Sequence, residues 1–514
     1  MTSEAVRPGP GRRQAAAATL LGSGATAFIA VAQAFVLIPL SLHFLGPRVY
    51  GAWLAAAELL TWVHLLDLGL TNLLTQRAGA AFGVGDHRGV AGWFTAGVLS
   101  LAGLAAVVGT VAAALAPAVA AWAGLRGGEA ESLGGAFRLG IAAAAVLLVS
   151  NAVVGLARAL QTTVWVNLVS VVAALAGFLA AAGLLVAGLG LWALAWGLAV
   201  RALVVSSGFA WFLAARVPRV VPSPWRVGRD ELRETLALAP SLAGANVGYL
   251  LMNHTEIPLV ATFFGPQLAT VYALTRKAAE ALRGLLDTVG YAAYGGFAHL
   301  VASAESPRSR AVLSELSFLR FAGACLAGGC YLATNEAFVT LLFGRESFGG
   351  VALTAALAVL LVVGGQTFLL NYLYRAAGAV RAGSNLLFQE SLLRLGAMVA
   401  GLLALGLAGA PAMAALVALG YGWINRRRLV ELLPAAAETT GGPWRWLLPG
   451  AVLAAGLVIG VAGIPATWIA LVVTLASLGA VGTVVLAAAD ATLRDSLLRG
   501  GRRWLRRRAP GGAE

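Results

Sequence analysis

The sequence predicts an all-α polytopic membrane protein of about 14 transmembrane helices, and three observations support this fold class. Of 514 residues, 60% are apolar and only 11% are charged, whereas soluble chains are about 45–50% apolar and about 25% charged. Apolar segments with the length of about 20 residues that a spanning helix requires recur along the whole chain. Arginines concentrate in alternate connections between these segments, as the positive-inside rule requires of a multi-pass protein.

Charge clusters and Gly or Pro turns divide the apolar segments into the predicted helices. The first follows Arg12 and Arg13 and is too long for a secretory signal, whose apolar region has about 7–15 residues. The predicted helices cover 17–45, 50–82, 89–118, 136–160, 163–187, 190–214, 236–263, 267–300, 310–343, 350–374, 383–408, 411–425, 445–463 and 466–489.

The distribution of arginine predicts cytoplasmic N and C termini. With an even number of helices, the cytoplasmic connections contain most of the arginines, whereas the opposite connections contain little more than Arg48, Arg126 and Arg345. The net charge of +14 is therefore explained by topology. We expect no nucleic-acid partner, because the sequence contains no soluble basic face. Scattered histidines and two cysteines without metal-ligand spacing predict no metal or cofactor.

A ten-residue repeat predicts two lobes of similar fold. The segments Ile38–Pro47 and Ile257–Pro266 share six residues, including both prolines, at an offset of 219 positions. Each copy ends a predicted helix that runs in the same direction, which predicts a parallel repeat with Pro39 and Pro258 as bending points. The predicted domains are an N-terminal six-helix lobe (14–215), a C-terminal six-helix lobe (230–426), two further helices (443–489) and a basic cytoplasmic tail (490–514).

The most informative pattern of the sequence is the set of charged residues in the eighth predicted helix. Such residues are costly in a membrane and usually face a cavity or a partner. They lie on one face together with three tyrosines: Tyr272, Arg276, Glu280, Arg283, Asp287, Tyr291 and Tyr294. Lys277 lies beside this face. The pattern predicts a polar path between the lobes, and the alternative is a self-neutralising ladder of Arg276–Glu280 and Arg283–Asp287 pairs.

Polar residues in other predicted helices are further candidates for the lining of such a path. The second helix places His64, Asp67, Thr71 and Thr75 on one face, with Asn72 and Arg77 nearby. The seventh places Asn246, Tyr249, Asn253 and Glu256 on one face, with His254 beside it. Arg320, Arg375, Glu390 and Arg394 complete the set. For Asn and Thr alone, hydrogen bonds between helices are the better explanation, and Arg375 could equally extend to the membrane surface.

Two segments resemble a known family. Leu45–Trp53 and Leu66–Leu74 match the pattern LGP-x-x-YG-x-W followed by DLGL-x-N, which is typical of the polysaccharide flippases (O-antigen, Wzx-type, and related exporters) of the MOP superfamily. Gly344–Gly349 is similar to that family's turn after the ninth helix. The chain departs from the family pattern at Tyr294–Phe297, where many members have a proline.

The resemblance implies a non-enzymatic flippase in the bacterial cytoplasmic membrane. Its substrate would be an oligosaccharide on polyprenyl pyrophosphate, turned to the outer leaflet by alternating access. Implied partners are this lipid-linked oligosaccharide, membrane lipids, a polysaccharide polymerase and glycosyltransferases. The coupling ion, H⁺ or Na⁺, is left open.

Arginine suits this substrate because its guanidinium pairs well with phosphate. The candidate substrate-binding residues are Arg276, Lys277, Arg283, Asp67, Asn72, Arg77, Asn253, Glu256, Glu280, Asp287 and Arg375. The alternatives are a lipid II-type flippase, a MATE-like drug or cation antiporter, and a membrane glycosyltransferase or polymerase.

Overall fold

A computed structural model describes residues 12–217, 229–302, 306–433 and 444–489, and every regular element in these ranges is a helix. The predicted tail 490–514 lies outside the described residues. The chain divides into two compact units, Met1–Thr270 (unit 1) and Val271–Glu514 (unit 2). The lobe limits expected from the sequence stay a prediction.

Sixteen α-helices follow one another in the described residues. They are α1 (Arg12–Leu65), α2 (Leu70–Gly83), α3 (His87–Ala114), α4 (Ala116–Trp122), α5 (Gly128–Ala159), α6 (Thr163–Val186), α7 (Leu191–Arg216), α8 (Arg229–Asn253), α9 (Glu256–Phe264), α10 (Pro266–Ala302), α11 (Ser306–Phe343), α12 (Val351–Ala376), α13 (Val380–Leu405), α14 (Gly409–Leu432), α15 (Trp444–Ala462) and α16 (Trp468–Ala489).

These helices confirm the predicted all-α membrane class. Ten segments of the described residues are long and apolar enough to cross a membrane. One of them runs through both α13 and α14, and another spans a break in α1. The more polar α8 and α10 lie outside this set. The short predicted helix 411–425 is wrong in its limits, since α14 has 24 residues.

The second predicted helix, 50–82, is wrong as a single element. It begins inside α1 and ends in α2, and the chain between them has left-handed backbone at Leu68 (φ 51°) and Gly69 (φ 80°). Such angles end a helix and favour glycine. Asp67 therefore lies in the break, where its Oδ1 accepts a hydrogen bond from the Gly69 amide at 3.0 Å. It does not share a helical face with Thr71 and Thr75, and the His64 side chain lies outside the described residues.

The seventh predicted helix, 236–263, is also interrupted, between α8 and α9. The proline ring of Pro258 would clash with the carbonyl of the residue four positions earlier, which is His254. The helix breaks there, and the freed His254 carbonyl accepts a hydrogen bond from Trp62 Nε1 at 3.2 Å. Because Glu256 belongs to α9, the predicted single face from Asn246 to Glu256 is wrong.

The two copies of the repeat end in the same backbone conformation. Gly46 has φ 72° and ψ 164°, and Gly265 has φ 85° and ψ 168°. A proline follows each glycine and starts the next helical segment. The copies differ upstream, because α1 stays helical through Pro39 and breaks at Gly46, whereas Pro258 follows a break.

The turns of both copies meet inside unit 1. Thr270 Oγ1 donates a hydrogen bond to the Pro47 carbonyl at 2.6 Å. A Cβ added to Gly51 would lie 1.8 Å from the Pro266 carbonyl oxygen. Only a residue without a side chain permits this approach of two backbones.

An apolar core in unit 1 joins α2, α3, α5, α6 and α7. Its fully buried members include Phe94, Leu101, Leu148, Leu156 and Phe212. Side chains from α10 to α14 form a second core in unit 2, around Phe297, Leu369, Leu373 and Leu429. Each unit therefore has its own packed interior.

Small residues let the helices of unit 2 pack closely. In the α13–α14 pair, a Cβ on Gly409 would lie 1.8 Å from the Gly401 carbonyl oxygen. A Cβ on Gly456 of α15 would lie 2.2 Å from the Gly329 carbonyl oxygen of α11. Small residues at such contacts are typical of helix packing in membranes.

Gly409→Ala is expected to lower the thermal stability of the purified protein. Overpacking costs about 1–3 kcal/mol, and the obstacle here is backbone, which cannot rotate away as a side chain can. The measurement is a melting curve in detergent by fluorescence-detected size exclusion. Gly420→Ala on the same helix is the control, since a Cβ there meets nothing within 4 Å. Equal melting temperatures for the two variants would contradict this packing.

Candidate functional site

The charged face of α10 combines buried and half-exposed groups. Arg276 is buried, and its Nη2 lies 3.9 Å from Glu280 Oε2. Lys277 Nζ lies 3.4 Å from the same oxygen. The side chains of Lys277 and Glu280 are 41% and 38% exposed. Arg283 lies close enough to Glu280 and Asp287 to act on both electrostatically. The predicted Arg276–Glu280 pair is therefore present, and one carboxylate serves two cations.

Asp287 has a partner that the sequence pattern does not predict. Its Oδ1 accepts a hydrogen bond from Nη2 of Arg320 on α11 at 3.0 Å. The Arg320 side chain is 1% exposed, and its guanidinium lies against Gly365 of α12. Pairs within α10 therefore do not account for all of its charged residues. The cation that hydrogen-bonds Asp287 comes from another helix, α11.

A second buried ion pair lies on α13. Arg394 Nη2 donates to Glu390 Oε1 at 2.5 Å, and both side chains are buried. Arg394 Nη1 is near Gly364 of α12. The adjacent glycines 364 and 365 therefore leave room for the guanidiniums of two different helices.

Arg375, near the end of α12, lies close to an aromatic ring. The guanidinium lies 5.8 Å from the centroid of the Tyr372 ring, a distance typical of a cation–π contact. Tyr372 also contacts Tyr291 and Tyr294 of α10 at centroid distances of 5.2 and 4.8 Å. Arg375 is thus brought to the same end of the α10 face as the tyrosines of the predicted stripe.

The candidates of unit 1 lie in separate places. Asp67 lies in the break between α1 and α2 and accepts a hydrogen bond from Asn246 Nδ2 of α8 at 3.0 Å. This bond joins the break to α8. Arg77 forms an ion pair with Glu234 of α8 and lies over the Trp93 ring. Asn72 is exposed. These contacts favour helix association over ligand binding for Asp67 and Arg77.

Near the α8–α9 break, Asn253 donates to the Tyr249 carbonyl at 2.8 Å. Glu256 is buried at the start of α9. The structure also shows a pair that the sequence analysis missed: His254 Nδ1 lies 2.6 Å from Glu58 Oε2 of α1. Glu58 is the single acidic residue between Pro47 and Leu65, and an ionisable residue in so apolar a segment is itself a sign of a site.

The charge balance of unit 2 favours an anionic ligand. On the charged face of α10, together with Arg320 of α11, the four cations Arg276, Lys277, Arg283 and Arg320 outnumber the carboxylates of Glu280 and Asp287. Excess positive charge at membrane depth is costly without a counter-charge. Guanidinium groups match phosphate oxygens in geometry and charge. In the described residues, no three His, Cys, Asp or Glu side chains are grouped to hold a metal ion.

Comparison with solved structures shows the fold. An inward-facing multidrug resistance MATE family transporter of the MOP superfamily matches with a TM-score of 0.60 and 17% identity, covering 78% of this chain and 95% of its own. A MATE structure in complex with MaL6 matches with a TM-score of 0.56 and 16% identity, covering 80% and 96%. The Vibrio cholerae MATE transporter VcmN in its bent form matches with a TM-score of 0.56 and 13% identity, covering 82% and 97%. No curated protein sequence matches significantly.

The chain is a multi-pass membrane protein with the fold of the MATE transporters. A sequence model described as polysaccharide biosynthesis protein matches residues 44–346, which is more than half of the chain. The protein therefore belongs to this polysaccharide biosynthesis family, and the resemblance found in Leu45–Trp53 and Leu66–Leu74 is confirmed. Family and fold together support a membrane transporter and are consistent with a non-enzymatic role.

Proposed function

We propose that this protein turns a polyprenyl-pyrophosphate-linked oligosaccharide from the inner to the outer leaflet of the bacterial cytoplasmic membrane. The observation that carries the proposal is the excess of cationic groups around α10 and α11, in a protein of the polysaccharide biosynthesis family. A pyrophosphate is an anion that this excess of cations can bind through charge-assisted hydrogen bonds. The sugar part needs only an aqueous path, since its hydroxyl groups remain hydrated.

Arg276, Lys277 and Arg283 would hold the pyrophosphate in this proposal. Arg320 acts indirectly, because its bond to Asp287 removes one carboxylate that would otherwise repel the substrate. Asn72, Asn253, Glu256, Glu280, Asp287 and Arg375 stay predicted contacts of the same path, whereas the contacts of Asp67 and Arg77 favour a role in helix association. Alternating access of two lobes, with both termini in the cytoplasm, completes the proposal.

The cationic excess argues against export of drug cations, the activity that an antiporter of the same fold would have. A cationic substrate would be repelled by four positive groups that face only two carboxylates. A polymerase or glycosyltransferase would need catalytic acids in sizeable outer segments, whereas the predicted outer connections are short. The substrate of a lipid II-type flippase differs in its head group, which also contains a peptide, and the following experiment separates the two.

A strain that lacks the protein should accumulate lipid-linked oligosaccharide on the cytoplasmic side. We expect the glycan to resist a membrane-impermeant periodate probe in spheroplasts and to become reactive when the membrane is permeabilised. Wild-type cells and the deletion strain complemented from a plasmid serve as controls. Glycan that is equally reactive in intact spheroplasts of both strains would contradict the proposal. If the accumulated lipid contains a pentapeptide, the substrate is of the lipid II type.

A further inference from the structure

Four aromatic side chains of unit 2 form a cluster in the C-terminal thirds of α10 and α12. Tyr291 of α10 contacts Phe368 and Tyr372 of α12 at ring-centroid distances of 5.9 and 5.2 Å. Tyr294 of α10 contacts Tyr372 at 4.8 Å. We call these four residues the aromatic cluster. The proposed pyrophosphate contacts do not involve any of its rings.

The geometry of the aromatic cluster leaves part of the Tyr291 ring uncovered. Phe368 and Tyr372 lie 5.6 Å apart with 24° between their planes, so they form one nearly flat pair. Tyr291 stands at 76° and 88° to these two rings and meets both from one side. Such edge-to-face contacts are a favourable arrangement of aromatic rings and do not cover both faces of either ring. Tyr291 is 49% exposed.

The aromatic cluster continues the faces of α10 and α12 that carry the buried ion pair. Arg320 donates to Asp287 of α10 at 3.0 Å, and its guanidinium lies against Gly365 of α12. Tyr291 follows Asp287 by four residues and therefore shares its helical face. Phe368 follows Gly365 by three residues and shares that face in the same way. The rings thus extend the polar faces of the two helices, whereas the aromatic belt of a membrane surface lies on faces exposed to lipid.

Arg375 adds hydrogen-bond donors beside these rings. Its guanidinium lies 5.8 Å from the centroid of the Tyr372 ring. The Arg375 Nε is buried and has no hydrogen-bond partner among the described residues. A guanidinium has five N–H donors and no acceptor, and a buried donor without an acceptor is unfavourable. A ligand rich in oxygen atoms would supply the acceptors for this group.

An aromatic ring beside a group with many donors matches the chemistry of a sugar. The C–H groups on the face of a pyranose ring are apolar and slightly positive, so they pack on the negative face of an aromatic ring. The hydroxyl oxygens at the edge of the pyranose accept hydrogen bonds from a guanidinium. A lipid chain would use only the rings, and a phosphate only the guanidinium.

We propose that the aromatic cluster and Arg375 bind a sugar residue of the transported glycan, with the Tyr291 ring stacked on the face of the pyranose. Phe368 and Tyr372 are positioning residues that hold this ring. The inference rests on the proposed function, in which Arg283 contacts the pyrophosphate. Tyr291 lies eight residues beyond Arg283, about 12 Å along the helix axis. Because the glycan is joined directly to the pyrophosphate, its first sugar residues extend from Arg283 toward the aromatic cluster.

The first test detects the sugar contact without a lipid carrier and without transport. Oligosaccharide released by mild acid from the surface polysaccharide of wild-type cells is added to purified full-length protein in nanodiscs of deuterated lipid. The aromatic protons of the protein are saturated, and magnetisation transfer to the C–H protons of the sugar is measured by NMR. We expect transfer in the wild type and a several-fold loss in Tyr291→Leu, which keeps an apolar side chain without a π face. Tyr291→Phe should recover most of the transfer.

Trp423→Leu is the matched control. Trp423 of α14 is 63% exposed, and the Arg427 guanidinium lies 5.7 Å from its ring centroid. It is therefore an exposed ring beside an arginine on another helix, and its loss should leave the transfer at the wild-type level. Absence of transfer in the wild type, or equal transfer in Tyr291→Leu and the wild type, overturns the proposal. Equal transfer is the result expected of a ring that faces lipid.

A second variant keeps the proposal testable if Tyr291→Leu does not fold. Arg375→Gln removes the guanidinium donors but keeps a polar side chain. We expect it to lower the transfer several-fold, because the sugar loses its hydrogen bonds at the ring edge. Unchanged transfer in Arg375→Gln would then overturn the proposal.

The last experiment links the sugar site to transport. Surface glycan is measured in a deletion strain that produces each variant at equal membrane abundance. Tyr291→Leu should lower export several-fold, and Tyr291→Phe should recover most of it; equal export by Tyr291→Leu and the wild type overturns the role of the site in transport. If the deletion strain accumulates no lipid-linked oligosaccharide while the NMR contact is present, the proposed function is wrong and the sugar site stands. If the oligosaccharide accumulates and the contact is absent, the sugar site is wrong and the proposed function stands.

Discussion

Replacing Arg276 and Arg283 together by alanine is expected to abolish glycan export while the protein remains in the membrane. Both residues lie on the charged face of α10, and each can offer charge-assisted hydrogen bonds to a pyrophosphate. If each arginine contributes about 1.5–3 kcal/mol, loss of both weakens substrate binding roughly 100- to 20,000-fold. The measurement is surface glycan by lectin binding, with membrane abundance followed by immunoblot.

The matched control removes the same charge elsewhere. Arg426 and Arg428 are exposed near the end of α14, so Arg426→Ala with Arg428→Ala should leave export close to the wild-type level. Normal export by the α10 double variant at normal abundance would remove these residues from the substrate site. Equal loss in both double variants would show that net charge, and not position, is what matters.

Gly365→Ala is expected to destabilise unit 2 and to reduce export strongly. The added Cβ would lie 1.7 Å from Arg320 Nη2, so the buried guanidinium must shift, and the same Nη2 donates the hydrogen bond to Asp287. Overpacking alone costs about 1–3 kcal/mol, and breaking a buried ion pair costs about 3–5 kcal/mol. The measurement is the melting temperature of the purified protein, together with export in cells.

Two comparisons make this prediction specific. Gly396→Ala on α13 is the control, because a Cβ there meets nothing within 4 Å. In a background of Asp287→Asn with Arg320→Met, the further cost of Gly365→Ala should shrink, since the charged pair that it disrupts is gone. An undiminished cost in that background would mean that neither the Arg320 guanidinium nor its ion pair explains the effect. A melting temperature equal to that of Gly396→Ala would contradict the contact itself.

Some contacts of the candidate site could be predicted from the sequence, and others could not. The α10 stripe follows from spacing alone, because residues three and four positions apart share a face in any helix. The Arg276–Glu280 pair is local in the same way. The Arg320–Asp287 pair joins positions 33 residues apart, and the sequence names both residues as candidates without indicating that they meet.

The helix breaks show a similar division. Pro258 and Gly69 are visible in the sequence, yet a proline does not by itself interrupt a membrane helix, as the helical backbone through Pro39 demonstrates. At His254 the interruption is stabilised by Trp62 from another helix. Local chemistry permits a break at such a position, and tertiary contacts decide whether it occurs.

The sequence by itself determined the membrane class, the approximate helix limits, the two copies of the repeat and the charged face of α10. These features depend on composition and on short-range periodicity, which are properties of each segment alone. Only the tertiary structure decided that Asp287 pairs with Arg320, that Arg77 pairs with Glu234, and that Glu58 meets His254. The physical reason is that a buried charge needs a partner, but which partner it finds depends on how the helices pack.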